Sequence, residues 1–258
     1  MPKLRHFIQI LLLLRHSINI NMSNPYFKFK KFTIWHDKCA MKVGTDGSLL
    51  GAWADTTNCH RALDVGTGTG LIALMLAQRC DAVIDAIDID IDACDQAREN
   101  IAQSPFATQI QVHLSPFANY KPKADIKYDL IISNPPYFID SLKCPNKQRN
   151  TARHTDTLSL ADLLKDSCRL LAPKGKLALI LPFEQRTILL ELAHKNQLYP
   201  LRETHVSSIK GATPKRLLIE LSRQRREFIE PSTLNIEIEQ REYSKEFIAL
   251  VKDFYLKM

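Results

Sequence analysis

The chain has no N-terminal apolar run long enough to cross a bilayer. Residues 7–14 are apolar except for Gln9, but a membrane-spanning helix needs about 20 such residues, and Arg15 and His16 end the run. It follows basic residues, as in a signal peptide, yet no small-residue cleavage pattern comes after it. Met22 opens a segment of different composition. We therefore expect residues 1–21 to be a disordered extension or a start assigned too early, and residues 22–258 to form one domain that does not bind membranes.

The six cysteines lack a pairing pattern. They stand at positions 39, 59, 80, 94, 144 and 168, with no C-x-x-C spacing, whereas zinc sites and redox motifs need closely spaced pairs. We expect free thiols in a reducing cytoplasm and no metal site. The sequence also shows no internal repeat, no low-complexity tract and no second segment with a core of its own.

The chain is basic, and its charges are unevenly distributed. The formal net charge is +7 and the isoelectric point is about 9.1. Basic residues outnumber acidic ones in residues 1–50 and 141–176, whereas aspartates are concentrated in residues 81–92. This distribution favours a polyanionic partner, although a solvated basic surface would give the same pattern. Lysines alternate with aromatic residues between Phe27 and Phe32, which suits either nucleic-acid binding or a half-buried hairpin.

One short stretch constrains the chemistry. Residues 129–133 contain an apolar run, 130–132, typical of a buried strand, and Asn134-Pro135-Pro136-Tyr137 follows it. Two consecutive prolines lack N–H donors, so the strand must end there, and proline keeps the residue before it extended. The side-chain oxygen of Asn134 and the carbonyl of Pro135 then become two fixed acceptors beside the ring of Tyr137. Such a site suits a planar group with an NH2, whose lone pair it would direct at an electrophile. A proline-terminated strand whose tyrosine only packs is the structural alternative.

A glycine-rich turn supplies the second part of the predicted site. Arg61–Val65 is predicted to be a strand, followed by Gly66-Thr67-Gly68-Thr69-Gly70 and a helix from Leu71 to Arg79. This is the first turn of a nucleotide-binding βαβ unit, in which glycines let a ligand lie against the backbone. The spacing is G-x-G-x-G and not the dinucleotide G-x-G-x-x-G. Asp64 at the strand end would repel a pyrophosphate and attract the cationic methionine group of S-adenosylmethionine.

The following strands complete an α/β pattern around this turn. The second strand, residues 83–87, ends at Asp88, about 20 residues after the first glycine, where nucleotide-binding folds carry an acid that binds ribose. Asp90 and Asp92 compete for this role, and we interpret them as a loop acid and as the N-cap of a helix over 93–103. The third strand covers 109–114. The Asn-Pro-Pro strand is fourth, and a doubly wound sheet places it across the switch point from the second, so cofactor and substrate would share one crevice.

The flanking segments continue the alternation of helices and strands. Thr45 or Asp46 could cap a helix that buries Leu49, Leu50 and Trp53. A basic loop over residues 138–157 is interpreted either as substrate-gripping or as a solvated lid. Further helices are expected over 160–171, 183–195 and 243–257, a turn at 173–175, further strands over 176–181, 198–206 and 216–222, and a basic hairpin tip at 210–215.

The two motifs together resemble those of Rossmann-type S-adenosylmethionine-dependent N-methyltransferases. More closely, residues 39–47 (Cys-Ala-Met-Lys-Val-Gly-Thr-Asp-Gly), with residues 29–33, 50–54 and 74–79 and the Arg149-x-x-Ala152-Arg153-His154 element, resemble the bacterial tRNA1(Val) adenine-37 N6-methyltransferase family. The likeness covers residues 27 to about 222. It implies a seven-stranded α/β sheet with helices on both faces, whose last hairpin makes one strand antiparallel.

The resemblance also implies an activity and its residues. S-adenosylmethionine would donate a methyl group to N6 of adenine 37 in tRNA, leaving S-adenosylhomocysteine, without a metal; we expect a monomer. Asn134, Pro135 and Pro136 would form the catalytic motif, with Tyr137 stacking on the adenine ring. Where many relatives carry an acid for the cofactor's adenine, this chain has Ser115. The expected cofactor ligands are Thr45, Asp46, Asp64, Gly66, Gly68, Gly70, Asp88 and Ser115, and the expected RNA ligands are Lys28, Lys30, Lys31, Arg149, Arg153, His154, Lys210 and Lys215.

Three alternative functions share some of these features. A glutamine side chain also offers a planar NH2, so protein-glutamine N5-methyltransferases use the same motif, usually with a helical N-terminal domain of which this sequence shows no sign. A DNA adenine methyltransferase would need room for a sizeable target-recognition domain. A non-catalytic, cofactor-binding RNA chaperone would not need Asn134, Pro135 and Tyr137 intact.

Overall fold

The computed structural model describes residues 24–39, 42–123, 126–136, 158–225 and 229–257. Within these ranges the chain forms a two-stranded sheet, a nine-stranded sheet and six α-helices. The helices are α1 (Thr45–Trp53), α2 (Leu71–Arg79), α3 (Ile91–Ala102), α4 (Leu160–Leu170), α5 (Arg186–Lys195) and α6 (Lys245–Val251). The strands are β1 (Tyr26–Lys28), β2 (Thr33–Trp35), β3 (Arg61–Val65), β4 (Val83–Asp88), β5 (Ile110–Leu114), β6 (Tyr128–Ser133), β7 (Leu171–Pro182), β8 (Tyr199–Ile209), β9 (Arg216–Ser222), β10 (Ser232–Glu239) and β11 (Glu242–Tyr243).

The large sheet has the strand order β11-β10-β8-β9-β7-β6-β3-β4-β5. Strands β5, β4, β3, β6 and β7 are parallel, whereas β9 is antiparallel to both of its neighbours, β7 and β8. The part of the sheet from β8 to β5 is therefore the predicted α/β sheet with one antiparallel strand, and the fold class is confirmed. Strands β10 and β11 extend it and were not predicted, although Leu234, Ile236 and Ile238 alternate with polar residues as a strand requires.

Helices cover both faces of the sheet. The β1–β2 hairpin and helices α1, α2, α3 and α6 pack on one face, where Leu74 and Leu130 are fully buried. Helices α4 and α5 pack on the other face, around Leu163 and Ile131. Successive residues of β6 thus contribute to opposite layers, as strand geometry demands. Burial on both faces explains why the central strands are continuous apolar runs. None of the helices in the described ranges is long and apolar enough to span a membrane.

Helix α1 crosses α2 at short range. A Cβ atom at Gly51 would lie 2.8 Å from Sδ and 3.0 Å from Cβ of Met75, and one at Gly47 would lie 3.1 Å from Cδ2 of Leu71. Glycine at these positions lets the two helices approach this closely. As a result, α1 begins beside the first turn of α2.

Some helix boundaries differ from the predictions. Helix α1 buries Leu49, Leu50 and Trp53 as predicted, but its N-cap is Gly44, and the prediction that Thr45 or Asp46 caps it was wrong because both lie within the first turn.

Two later boundaries also differ. The N-cap of α3 is Asp90 and not Asp92, because Oδ1 of Asp90 accepts a hydrogen bond from the Asp92 N–H at 2.9 Å. The closing helix is shorter than predicted, since Ser244 caps α6 directly after β11 and Val251 ends it. The turn predicted at 173–175 instead forms a bulge within β7, where the pairing with β6 shifts register.

Candidate active site

Three parallel strands end side by side at the carboxyl edge of the sheet. Strand β3 lies between β4 and β6 and ends at Val65, while its neighbours end at Asp88 and Ser133. The buried Oγ of Ser133 donates a hydrogen bond to the Val65 carbonyl at 2.8 Å, which holds the ends of β6 and β3 together. The chain order reverses at β3, and ligands of open α/β sheets bind in the crevice outside such a switch point.

The glycine turn, residues 66–70, opens onto this crevice. Gly66, Gly68 and Gly70 have φ angles of 72°, 54° and 82°, a region that favours glycine. A Cβ atom at Gly66 or Gly68 would meet nothing within 4 Å among the described residues. At Gly70, by contrast, it would lie 3.4 Å from Cβ of Ala97 on α3. The first two glycines therefore leave room for a ligand, whereas Gly70 faces protein.

Asp64 precedes the glycine turn and is completely buried. Its Oδ2 atom accepts hydrogen bonds from Oγ1 of Thr67 at 2.6 Å and from the Ala73 N–H at 3.2 Å. Its Oδ1 atom has no hydrogen-bond partner among the described residues. Burial raises the pKa of the Asp64 carboxyl to about 7. A buried carboxylate oxygen in need of a partner suits a cationic group in the crevice.

Asp88, at the end of β4, is linked directly to the glycine turn. Its Oδ2 atom accepts the Gly68 N–H at 2.9 Å, and its Oδ1 atom accepts the Asp90 N–H at 3.0 Å. Ser115 lies alongside, because its N–H donates to the Asp88 carbonyl at 2.8 Å. The structure thus brings together Asp64, the glycine turn, Asp88 and Ser115, as the sequence predicted.

Two apolar residues beside Asp88 were missed by the sequence analysis. Ile89 follows Asp88 directly and is 53% exposed, and Leu114 ends β5 and is 48% exposed. Exposed apolar side chains on residues next to an acid suit the flat ring and the ribose of a nucleoside. The open glycines, the unpaired Asp64 oxygen and this apolar border all fit S-adenosylmethionine. The sequence did contain a signal for Ile89 and Leu114, because both stand at the ends of strands, at the edge of the sheet where ligands of α/β proteins bind.

The predicted residues Thr45 and Asp46 lie in the first turn of α1, which begins beside α2. Thr45 is exposed, and Asp46 forms an ion pair with Arg216, the first residue of β9, at 2.8 Å between Oδ2 and Nε. Arg216 was not predicted, because 170 positions separate the two residues and no local pattern links them.

The Asn-Pro-Pro segment follows β6 at the same edge. Asn134 is half-buried, Pro135 is buried and Pro136 is exposed. No described residue forms a hydrogen bond with the Asn134 side chain. Tyr137 lies outside the described residues.

The predicted RNA ligands are placed in two different regions. Lys210 and Lys215 are exposed at the β8–β9 tip, which extends beyond the carboxyl edge because Arg216 pairs with Pro182 at the end of β7. The structure therefore places these two lysines at the same edge as Asn134. Arg149, Arg153 and His154, like the rest of the predicted loop, lie outside the described residues.

The lysines of the β1–β2 hairpin lie elsewhere. Phe29 and Phe32 of this hairpin are buried in the core, as in a half-buried hairpin. Lys30 donates from Nζ to the Lys252 carbonyl at 2.6 Å, and with Lys31 it lines a groove that also contains Arg79. Arg79 ends α2, about 13 Å along the helix from the glycine turn. Lys28 is exposed on β1. The structure thus separates Lys30 and Lys31 from the crevice.

The parallel sheet, its switch point and the open glycine turn define a Rossmann-type methyltransferase. The family model of the methyltransferase small domain matches residues 40–192. A predicted O-methyltransferase from Agrobacterium tumefaciens has a similar fold, with a TM-score of 0.64 and 17% identity over 81% of this chain and 96% of that one. Within the described residues, no cluster of three or more His, Cys, Asp or Glu side chains could hold a metal ion.

Closer relatives define the family. This chain is 67% identical over 237 residues to the tRNA1(Val) (adenine(37)-N6)-methyltransferase of Parabacteroides distasonis, which covers 92% of this chain and 100% of the relative. It is 50% identical over 238 residues, again 92% and 100%, to the protein of the same name from Bacteroides fragilis. The chain belongs to the tRNA1(Val) (adenine(37)-N6)-methyltransferase family, and the predicted family is confirmed.

Proposed function

We propose that this protein transfers a methyl group from S-adenosylmethionine to N6 of adenine 37, beside the anticodon of tRNA1(Val). The main observation that supports the proposal is the hydrogen bond from Oγ of Ser133 to the Val65 carbonyl. It joins the strand that presents Asn134 to the strand that enters the glycine turn. An acceptor pair for an NH2 group and a pocket for a cationic nucleoside would therefore meet at one edge of the sheet. The names of the relatives support tRNA1(Val) as the substrate.

The residues around the glycine turn would hold the cofactor. Asp64 would attract its ammonium group, Gly66 and Gly68 would allow it to lie against the backbone, and Asp88 would accept hydrogen bonds from its ribose. The apolar border of Ile89 and Leu114 would pack against its adenine. When bound, S-adenosylmethionine supplies an electrophilic methyl group.

Asn134 and Pro135 would hold the substrate amine. The side-chain oxygen of Asn134 and the carbonyl of Pro135 would accept its two N–H bonds, which localises the nitrogen lone pair and fixes its direction. Because the neutral amine is itself the nucleophile, the site needs acceptors and not a general base, and the extra proton passes to water afterwards. Tyr137 would stack on the ring. A purine in an anticodon loop is largely unpaired, so placing it here costs less than flipping a base out of a duplex.

Transfer of labelled methyl groups tests this proposal. The protein is incubated with methyl-labelled S-adenosylmethionine and separately with bulk tRNA, bulk rRNA and a protein fraction, and the labelled nucleosides are identified. We expect N6-methyladenosine in tRNA1(Val) at position 37. Label in protein alone would indicate the glutamine methyltransferase instead, and label in rRNA alone would also contradict the proposal.

Asn134→Ala separates catalysis from binding. We expect it to lower the transfer rate by on the order of 100-fold, as loss of one positioned hydrogen-bonding group does, with tRNA still bound. The matched control is Asn235→Ala, which removes an equally half-buried asparagine from β10, on the far side of β7, β8 and β9. Unchanged function in Asn134→Ala would favour the RNA chaperone.

A further inference from the structure

Asn100 on helix α3 connects the β1–β2 hairpin to the glycine turn. Its side chain is buried, since only 1% of the residue is exposed. Nδ2 of Asn100 donates to the Trp35 carbonyl and to the Thr69 carbonyl, each at 2.9 Å, and Oδ1 accepts from the Trp35 N–H at 2.9 Å. Trp35 ends β2 and Thr69 lies in the glycine turn. One side chain therefore joins two segments that are far apart in the sequence.

The backbone of Trp35 fixes the orientation of this amide. Its N–H group requires an acceptor and its carbonyl requires a donor, so the amide of Asn100 can face β2 in only one way. The second hydrogen of Nδ2 then points at the Thr69 carbonyl. The hairpin thus determines which atom of Asn100 meets the turn.

The glycine turn depends on hydrogen bonds from outside itself. Its three glycines have positive φ angles and no side chains, so the turn could change conformation at a small energetic cost. Its first half is held by β4, because the N–H groups of Gly66 and Thr67 donate to the Ile87 carbonyl at 2.9 and 3.0 Å. Its second half is held by α3, through the bond from Asn100 to Thr69.

Helix α3 reaches the turn because of Gly70. A Cβ atom at Gly70 would lie 3.4 Å from Cβ of Ala97 and 3.5 Å from Cδ1 of Ile101. Ala97 and Asn100 are three positions apart and therefore share a face of α3. The close packing and the hydrogen bond act on the same part of the turn.

We propose that Asn100 is a positioning residue for S-adenosylmethionine, which holds the glycine turn in the conformation that binds the cofactor. The inference rests on the proposed cofactor site but not on which RNA is methylated. Asn100 acts through the backbone of Thr69, because its own buried side chain presents almost no surface to a ligand. Without its amide the Thr69 carbonyl loses this donor, and the turn can leave the binding conformation.

Substitutions that preserve the shape of the side chain test this role. Asn100→Asp keeps an acceptor for the Trp35 N–H but removes both donors. The matched control is Gln96→Glu, because Gln96 lies on the same helix, is also 1% exposed and accepts the Lys38 N–H at 3.1 Å. The binding of S-adenosylmethionine is measured by titration calorimetry, without RNA. We expect Asn100→Asp to bind about tenfold more weakly, the effect of one lost hydrogen bond, and Gln96→Glu to bind normally.

A second pair of variants makes the same comparison without adding a charge. Asn100→Ala and Gln96→Ala each delete a buried amide, and both are measured at a temperature at which circular dichroism shows them to be folded. We expect the same difference in affinity. In methyl-transfer assays the KM for S-adenosylmethionine should rise in the Asn100 variants while kcat changes little. A loss of folded protein alone would instead lower the apparent kcat and leave KM unchanged.

Other outcomes would overturn the proposal. Normal cofactor affinity in the Asn100 variants, with only a lower melting temperature, would make Asn100 a purely structural residue. Equal losses of affinity in the Asn100 and Gln96 variants would show that the packing of α3 matters and not the bond to Thr69. If the unsubstituted protein did not bind S-adenosylmethionine, the proposed function itself would fail, so the two failures are distinguishable.

Discussion

The Gly68 N–H donates a hydrogen bond to the Asp88 carboxylate at 2.9 Å, so the acid proposed to bind ribose also fixes the glycine turn. Asp88→Ala should therefore weaken the binding of S-adenosylhomocysteine roughly 10- to 100-fold, since a hydrogen bond to a charged group contributes about 1.5–3 kcal/mol. Titration calorimetry measures the change. Asp92→Ala removes an exposed acid from the same segment and should bind normally; equal losses in both variants would contradict a specific role for Asp88.

The buried carboxyl of Asp64 predicts a pH dependence of cofactor binding. Its pKa is about 7 in the ligand-free protein because of burial. A cationic ligand beside it favours the ionised form, so below that pKa binding must be accompanied by proton release. Affinity for S-adenosylmethionine should fall as the pH decreases below about 7, by up to about tenfold per pH unit. Calorimetry in buffers of different ionisation enthalpy measures the released proton.

Asp64→Asn provides the control for this prediction. The part of the pH dependence due to Asp64 should disappear in the variant, and identical profiles in the two proteins would refute the assignment.

The stability of the ligand-free protein should depend on pH in the direction opposite to that of the cofactor affinity. Because the folded pKa lies above the ordinary value of 3.8, the free energy of unfolding should decrease as the pH rises from about 4 to about 7, and this decrease should be smaller in the variant.

A buried hydrogen-bond cluster on the α4 face predicts a purely structural effect. The Tyr128 hydroxyl donates to Oδ2 of Asp85 at 2.6 Å, and the Tyr120 hydroxyl lies 3.0 Å from that of Tyr128. Tyr128→Phe leaves the Asp85 oxygen without this donor and should cost about 1.5–3 kcal/mol, or roughly 3–10 °C in melting temperature. Tyr120→Phe should cost less because it removes a bond between neutral groups. Differential scanning calorimetry distinguishes the two variants, and a larger loss for Tyr120→Phe would contradict the prediction.

The separation of the lysines predicts unequal contributions to tRNA binding. Replacing Lys210 and Lys215 with alanine should weaken binding and lower the slope of log affinity against log salt by about two, one for each lost phosphate contact. The pair Lys30→Ala and Lys31→Ala changes the charge equally but lies near the far end of α2, so its effect should be smaller. Filter binding at several salt concentrations compares them. A larger effect of replacing Lys30 and Lys31 would indicate that the RNA binds at the β1–β2 hairpin, away from the crevice.

The sequence predicted those parts of the structure that local constraints determine. Glycines with positive φ, two prolines after a strand and an acid at a strand end each restrict the backbone within a few residues, so the glycine turn, β6 and Asp88 could be located in advance. The ion pair between Arg216 and Asp46 could not be predicted, because it depends on how β9 enters the sheet. Strand β10 was missed although its alternation of apolar and polar residues is a local signal, and only its pairing with β8 depends on how the whole sheet is assembled. The role of Gly70 at the cofactor stays a prediction, and spacing alone did not show that a Cβ atom there would face Ala97 on α3.

The contact between Gly51 and Met75 has a consequence for how this chain can vary. Asp46 lies about one and a half helical turns before Gly51, and α1 packs directly against α2 at Gly51. A larger residue at position 51 would tilt α1 and displace its first turn from the crevice, unless the residue at position 75 became smaller in compensation. A larger residue at 51 should therefore be tolerated in descendants of this sequence only together with a smaller one at 75.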